Sequence, residues 1–338
     1  MAVSSLLRTS EPLVTEAASS TARRTDLVDF DPDVMTMALQ HGVLEHVQLE
    51  RGLFRGQIAH SATSGSRIDW GNYELAVLAR GDLSRDMVTI GLALTGAGGW
   101  RVHGQGADDG DIVVFPEGGE MLAALPRQAQ WLSMQVPRSR IEAAGLCLDR
   151  SPPAGARRIT GELDAASRRA LVEIACVLAP HRSDRRFEAG EVELAHEDLL
   201  ALLLGEIARR GATTEARAPL NGNERRQVIR RAEAYLEARG EPSVRIDELC
   251  LAAFTSLSRL ERAFLETFGV GPRRYLMLRR LAAVRRELRR GDPQTSITDV
   301  ATRWGFFHLG RFSQEYRQLF LERPSETLRA QRPPASAR

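Results

Sequence analysis

The sequence contains no lysine, and all 46 of its basic residues are arginine. Its three cysteines (Cys147, Cys176 and Cys250) are far apart and form no C-x-x-C pair, which excludes a disulfide framework and a cysteine-based zinc site. No apolar run is long enough for a transmembrane helix, and the N-terminus lacks the apolar core of a signal peptide. We therefore expect a cytoplasmic protein that makes no contact with a membrane.

Motifs that carry out catalysis are also missing. The sequence shows no glycine-rich phosphate loop, no nucleophile elbow and no paired-carboxylate motif. His103 is isolated, and the close pair of histidines that a metal-binding β-barrel needs does not occur. We expect no catalytic residue, no cofactor and no metal site, and hence a protein that is not an enzyme.

The net charge of +2 conceals an uneven distribution along the chain. Residues 221–338 contain 23 arginines against 14 acidic residues, a balance of +9. Residues 1–220 contain 23 arginines against 30 acidic residues, a balance of −7. A basic C-terminal third on an acidic body predicts a polyanionic partner for that third alone.

The period of the hydrophobic pattern changes along the chain. Residues 1–35 show weak periodicity and are predicted to be a flexible arm. Over residues 36–150, short segments such as "VLEHVQL", "MVTIGLAL" and "DIVVF" are separated by turn residues, which predicts a β-barrel or sandwich. Residues 151–212 have the apolar spacing of amphipathic helices, which either form a dimer interface or dock on the barrel. Residues 213–224 are small and polar and are predicted to be a linker.

Residues 225–332 are predicted to be helical and contain a degenerate internal repeat. The two copies align with an offset of 51 residues before a turn and 52 after it. The matched positions are Ile246, Leu249, Leu260, Phe264, Phe268 and Pro272 in the first copy and Ile297, Val300, Phe312, Tyr316, Phe320 and Pro324 in the second. Two helix-turn-helix units joined by the basic helix "PRRYLMLRRLAAVRRELRR" explain this pattern. The predicted fold class is therefore α+β.

The second copy indicates a helix that is buried on one side and free on the other. Ser296 is a suitable N-cap for the first helix of the unit, and Gly305 can take the positive φ of a sharp turn. The apolar stripe of the next helix leaves polar positions outside, as a helix in the major groove of DNA requires. A plain helical hairpin with a solvated charged face is the alternative, and the two in-frame copies and the basic connector argue against it.

Residues 246–329 resemble the DNA-binding domain of AraC/XylS-type transcription regulators. The residues that carry the resemblance are Leu249, Ser256, Leu260, Arg262, Phe264, Phe268, Gly269 and Pro272 in the first unit and Val300, Ala301, Gly305, Phe306, Phe312, Tyr316, Phe320 and Pro324 in the second. Two positions depart from the family pattern, because Phe254 and Leu321 stand where the family has glycine. At Phe254 we expect a different turn geometry.

The resemblance implies that the second helix of each unit enters the major groove, with the two helices about 34 Å apart. It places base-reading candidates at Ser258, Glu261 and Arg262 in the first unit and at Leu309, Gly310 and Gln314, flanked by His308 and Arg311, in the second. Arg262 suits guanine and Gln314 suits adenine. Glu261 either accepts from cytosine or orients Arg262, and the second role is favoured. Arg259, Arg311 and Arg317 are the favoured phosphate contacts.

For the N-terminal half, the resemblance implies a cupin-like sensor domain whose barrel binds a small-molecule effector. Trp70, Trp100, Phe115 and Trp131 either line such a pocket or belong to an ordinary core. By the same resemblance we expect a homodimer that binds double-stranded DNA and acts on RNA polymerase, more as an activator than as a repressor. The alternatives are a regulator whose N-terminal domain only dimerises and a cupin-type enzyme fused to a DNA-binding domain.

Overall fold

The computed structural model describes residues 23–97, 99–147, 156–167, 169–171, 188–211, 221–240, 244–291 and 294–330. The strands in these ranges are β1 (Arg23–Leu27), β2 (Val43–Gln48), β3 (Gly56–Ala62), β4 (Arg67–Tyr73), β5 (Val77–Asp82), β6 (Val88–Ala97), β7 (Trp100–Val102), β8 (Gln105–Ala107), β9 (Ile112–Phe115), β10 (Glu120–Leu125), β11 (Arg127–Val136) and β12 (Arg157–Ile159). The helices are α1 (Pro32–Met35), α2 (Arg138–Ala143), α3 (Ala189–Gly211), α4 (Asn221–Arg239), α5 (Ile246–Ala252), α6 (Leu257–Phe268), α7 (Pro272–Arg289), α8 (Ile297–Arg303), α9 (Leu309–Phe320) and α10 (Pro324–Ala330).

The strands form two antiparallel sheets. One has the order β1-β3-β4-β11-β6-β9-β12 and the other has the order β2-β5-β10-β7-β8. Leu44 of β2 shares an apolar core with Val113 and Phe115 of β9, so side chains of the two sheets face one another. A β-rich N-terminal half followed by a helical C-terminal half confirms the predicted α+β class.

Helix α3 docks on the seven-stranded sheet. Its buried residues Leu199 and Leu203 belong to the same apolar core as Ile90 of β6. In the same contact, the ring nitrogens of His196 lie 2.9 Å from the Ser61 hydroxyl and 2.7 Å from the Ser66 hydroxyl. The sequence predicted that this apolar face either forms a dimer interface or docks on the barrel. In the structure it is covered by the barrel of the same chain.

The structure corrects the prediction of a flexible arm over residues 1–35. Residues 23–35 are ordered: β1 pairs with β3, and α1 begins with an Asp31 carboxylate that accepts from the backbone N–H groups of Asp33 and Val34. Phe30 and Met35 are buried in the main core. The weak periodicity concealed this, because a short strand and a one-turn helix give too few residues to show a period. Residues 1–22 lie outside the described residues.

Two further ranges differ from the predictions. In the predicted helical region 151–212, β12 instead extends the seven-stranded sheet by pairing with β9. In the predicted linker, residues 221–224 already belong to α4, and residues 213–220 lie outside the described residues. Elsewhere in the same region, residues 165–167 and 169–171 are helical, as predicted, and residues 172–187 lie outside the described residues.

The two positions that depart from the family pattern keep the backbone of the glycines they replace. Phe254 has φ 51° and its repeat counterpart Gly305 has φ 79°, so the expectation of a different turn at Phe254 is wrong. Leu321 has φ 57°, and its counterpart Gly269 has φ 73°. A side chain in this left-handed region costs about 1–2 kcal/mol, which the packing of the surrounding helices outweighs. Among the described residues, no helix combines the length and apolarity that crossing a membrane requires.

Candidate nucleic-acid interface

Helix α6 is held in place along one side. Ser256 caps its N-terminus by accepting from the backbone N–H of Arg259, and Gly269 ends it in the left-handed conformation. Leu260, Phe264 and Phe268 are buried, with spacings of four residues that place them on one face. The first two turns of the opposite face are open to solvent.

Helix α9 repeats this arrangement in the second unit. Phe312, Tyr316, Leu319 and Phe320 are buried, and the half-buried Phe306 in the preceding turn packs on Phe312 with ring centroids 5.0 Å apart. His308 is the N-cap residue, but its side chain makes no capping hydrogen bond. In α8, the Ser296 side chain accepts from the backbone N–H of Asp299, as the N-cap prediction requires.

Helix α7 fixes the two units relative to one another. In the first unit, Tyr275 of α7 stacks on Phe268 with ring centroids 4.4 Å apart. Towards the second unit, the buried Arg285 side chain donates to the Tyr316 hydroxyl at 3.4 Å, and that hydroxyl also lies 2.8 Å from the Thr327 hydroxyl. Buried aromatic and hydrogen-bonded contacts at both ends make α7 a rigid spacer rather than a flexible connector.

All the candidate DNA-contacting residues lie on the surface. Those exposed on and before the two helices are Ser258, Arg259, Glu261, Arg262, His308, Leu309, Gly310, Arg311, Gln314 and Arg317. The structure also exposes Phe307, Leu257 and Ser313 beside them, which the sequence analysis did not single out. Exposure is what groove contacts require, and it leaves both helices accessible in the presence of the N-terminal half.

Several of these arginines already have acidic partners. Arg262 donates to Glu266 at 2.8 Å, Arg311 donates to Glu315 at 2.9 Å, and the guanidinium of Arg259 lies 2.9 Å from Glu224. The hydrogen bond from Arg262 lowers the pKa of Glu266. Exposed pairs of this kind are weak, so a phosphate or a guanine can displace the carboxylate. Glu266, rather than the predicted Glu261, orients Arg262 in this structure.

Four arginines at the C-terminal end of the connector, three on α7 and one directly after it, face the N-terminal half. The side chains concerned are Arg285, Arg286, Arg289 and Arg290. Arg289 bonds Asp29 at 2.7 Å and Asp31 at 2.6 Å, and Arg290 bonds both carboxylate oxygens of Asp33 at 2.6 Å. The charge at this end of the connector is therefore taken up within the chain and does not support DNA binding in the way the sequence suggested.

A second ion-pair network, largely buried, joins the same two halves. Arg80 of β5 donates to Glu45 of β2 at 2.8 Å and is hydrogen-bonded to Glu233 of α4. Arg279 of α7 donates to Glu233 at 3.1 Å and to Glu45 at 3.3 Å. Burial alone would raise the pKa of Glu45, but the charges of Arg279 and Arg80 outweigh it and lower that pKa. Each carboxylate is shared between one arginine from each half.

A cavity of about 90 Å³ lies inside the N-terminal half. Of the four aromatic residues predicted for an effector pocket, Trp100, Phe115 and Trp131 lie on its wall. Trp70 does not, because it packs against the core between the seven-stranded sheet and α3. Gly71 beside it has no side chain, and a Cβ there would lie 2.3 Å from the Trp131 ring. The glycine therefore leaves room for the indole of Trp131.

The sequence analysis missed two polar residues of this wall, His46 and Tyr73. Alternation along "VLEHVQL" places His46 on the same face as the buried Leu44, and this was the available signal. Burial lowers the pKa of His46 to about 4 and raises the pKa of Tyr73. Both side chains are therefore neutral near pH 7. No group of three His, Cys, Asp or Glu side chains with the arrangement of a metal site occurs within the described ranges.

The comparison with known protein families finds a match within the helical half of the chain. Residues 249–330 match a family model described as a helix-turn-helix domain. The probable thc operon regulatory protein of Rhodococcus erythropolis is 37% identical over 103 residues, which are 30% of this chain and 31% of that protein. The XylDLEGF operon transcriptional activator 2 of Pseudomonas putida is 34% identical over 133 residues, which are 38% of this chain and 77% of that protein. The chain thus spans less than a third of the length of the Rhodococcus relative.

Similar solved structures include the AraC-like transcriptional activator CuxR, with a TM-score of 0.37 and 15% identity over 78% of this chain and 94% of that one. ToxT from Vibrio cholerae O395 has a TM-score of 0.30 and 11% identity over 92% of this chain and 97% of that one.

Proposed function

The chain belongs to the AraC/XylS family of transcription regulators, and on this premise we propose that it is a sequence-specific DNA-binding activator of transcription. The observation that carries the proposal is the pair of helices α6 and α9. Each is buried along one face and exposes polar and basic side chains on the other, and α7 fixes both in place. This arrangement suits two reading helices that enter successive major grooves on one side of the duplex.

Within this proposal the exposed residues have distinct roles. Arg262 releases Glu266 and donates to a guanine, and Gln314 bonds an adenine. Arg259, Arg311 and Arg317 neutralise phosphates and set the position of the protein on the duplex. Gly310 has no side chain, so the second unit contributes more backbone and shape contacts than the first.

The N-terminal half, over residues 36–150, acts as a cupin-like sensor for a small effector. The route to the DNA-binding helices is short. On β2, Leu44 and His46 line the cavity, while Glu45 between them bonds Arg279 of α7. On β5, Ala79 lines the cavity and the next residue, Arg80, bonds Glu233 of α4. An effector that moves either strand changes these contacts with α7 and α4, and so shifts the population of DNA-binding conformers.

Three further assignments follow from the family and belong to the same proposal. The protein acts as a homodimer in the cytoplasm, and it activates by contact with RNA polymerase. Because α3 is docked on its own barrel, the dimer interface uses surfaces other than the apolar face of α3.

The test is the selection of bound sequences from random duplex DNA by the full chain at moderate salt. We expect a site with two short elements about one helical turn apart. Enrichment of a single element would contradict paired reading and limit base recognition to one unit. Enrichment of no sequence at all would contradict the proposed function, since the exposed helices would then bind DNA without specificity or not at all.

A further inference from the structure

The cavity in the N-terminal half is almost entirely apolar, but three buried polar groups line it. Within the described part of the chain, the Tyr73 hydroxyl, the Trp131 indole Nε1 and the His46 Nδ1 make no hydrogen bond of normal geometry, although Trp131 approaches Tyr73, and the backbone of Leu44 approaches the His46 ring, closely enough to affect their pKa values. All three side chains line the cavity. Tyr73 is completely buried, and His46 is 2% exposed. A buried polar group without a hydrogen bond is unfavourable, and three around one space point to a ligand that satisfies them.

The other polar residues of the wall are already engaged. The Ser133 hydroxyl donates to Asp69 at 3.3 Å. The Asp111 carboxylate accepts from the backbone N–H groups of Asp108 and Gly161. Among the described residues of the wall, the polar groups of Tyr73, Trp131 and His46 therefore remain for a ligand. The Trp131 N–H can only donate a hydrogen bond, and the Tyr73 hydroxyl can donate one.

The charge of the wall selects against an anion. The described residues of its wall include no arginine, and His46 is neutral because burial lowers its pKa to about 4. Among the described residues of the wall, Asp111 is the one acidic residue. An anionic ligand would lose its hydration without gaining a cation, which is costly in an apolar site.

The size of the cavity limits the ligand further. An engineered cavity of about 150 Å³ in another protein holds benzene. The cavity here measures about 90 Å³, so it accepts a molecule on the order of one six-membered ring with slight expansion of the wall. The rings of Trp100, Phe115 and Trp131 offer flat apolar surfaces to such a ring.

We infer that this cavity binds a neutral, single-ring compound that presents an oxygen acceptor to Tyr73 and Trp131. The inference rests on the proposed function, in which the N-terminal half senses an effector, and it names the chemical class of that effector. The apolar body of the compound fills the space between the sheets, and its oxygen accepts from the phenol and the indole N–H. His46 provides a third hydrogen-bonding position for a compound with a second polar group.

The test uses calorimetric titration of the full chain with three probes of matched size. Cyclohexanone is neutral with one acceptor, methylcyclohexane has no acceptor, and cyclohexanecarboxylate is an anion. We expect saturable binding of cyclohexanone, weaker binding of methylcyclohexane and no binding of the carboxylate at millimolar concentration. Tyr73→Phe should weaken cyclohexanone binding by roughly threefold to tenfold, the effect of one neutral hydrogen bond, and leave methylcyclohexane binding unchanged.

Matched variants separate the site from general effects on folding. Trp131→Phe removes the indole donor of the wall and should weaken cyclohexanone binding, whereas Trp70→Phe changes a tryptophan outside the cavity and should not. Ala123→Leu places extra atoms in the cavity and should abolish binding of both neutral probes. The melting temperature of each variant without ligand shows that the variant is folded.

DNA binding by the same samples distinguishes failure of this inference from failure of the proposed function. Tighter binding of the carboxylate than of cyclohexanone, or binding of no probe, would overturn the inference even if specific DNA binding is intact. Binding of cyclohexanone that is unaffected by both Tyr73→Phe and Trp131→Phe would overturn it as well. Cyclohexanone binding by a chain that recognises no DNA sequence would support the inference and contradict the function.

Discussion

Replacing Glu233 by glutamine tests whether the buried ion-pair network joins the two halves of the molecule. The Glu233 side chain is 9% exposed, and its partners Arg80 and Arg279 are 11% and 4% exposed. The change leaves both guanidinium groups buried with the Glu45 carboxylate between them. Removing one partner of a buried pair costs about 3–5 kcal/mol. Because Glu45 remains, we expect a loss near the lower end, about 3 kcal/mol, in the free energy of unfolding by urea.

Glu237→Gln is the matched control for this experiment. Glu237 lies on the same helix as Glu233 and 3.7 Å from Arg80, but its side chain is 65% exposed. An exposed pair contributes about 0–1 kcal/mol, so this variant should unfold close to the wild type. Equal effects of the two substitutions would refute the reasoning, because they would mean that the Glu233 network is solvated. Specific DNA affinity should also respond differently to effector in Glu233→Gln, since the link from β5 to α4 is weakened.

Three other predictions concern the reading helices and the buried histidine. Arg262→Ala should weaken binding to the selected site by roughly 5- to 150-fold in a titration and relax one base position, without changing the urea midpoint; unchanged affinity would contradict its role. Arg317→Ala should weaken binding to all duplexes alike and reduce the slope of log K against log salt by about 1; a loss confined to one sequence would contradict a phosphate contact. Burial lowers the pKa of His46 to about 4 from 6.5, so the unfolded chain binds the extra proton as the pH falls between these values. As the pH falls through this range, the free energy of unfolding should drop by at most about 1.4 kcal/mol per pH unit on account of His46. The free energy of unfolding of His46→Gln should drop less steeply, and equal slopes for the two proteins would contradict the burial of His46.

The reading helices were predictable because their determinants are local. An N-cap serine, a four-residue apolar spacing and a turn residue are all contained within about twenty residues, and signals of this kind occur in both copies of the repeat. The exposure of Arg262 and Gln314 follows from the same spacing, since a helix that buries Phe264 or Phe312 must present the other face to solvent. The turn at Phe254 escaped the sequence argument, because its left-handed φ is imposed by packing and not by the preference of phenylalanine.

The cavity and the connections between the halves were not predictable in the same way. The sequence indicated aromatic residues for a pocket but not which face of the sheet each would occupy, and Trp70 falls on the other face. His46 and Tyr73 meet at the cavity from strands whose pairing is non-local. The aspartates around Asp31 bond arginines about 260 positions away. In the sequence these residues look like a solvated acidic segment and part of a DNA-binding basic helix, but in the structure they contact one another.

The sequence by itself determined the α+β class, the two helix-turn-helix units and the side of each reading helix that faces outward, because hydrophobic periodicity and capping act over a few residues. Only the tertiary structure decided which charges remain for DNA, which aromatic residues enclose the cavity and how the cavity is joined to the reading helices. These features depend on side chains that are brought together by the pairing of distant strands and by the docking of one half on the other, and burial then sets the energy of each contact.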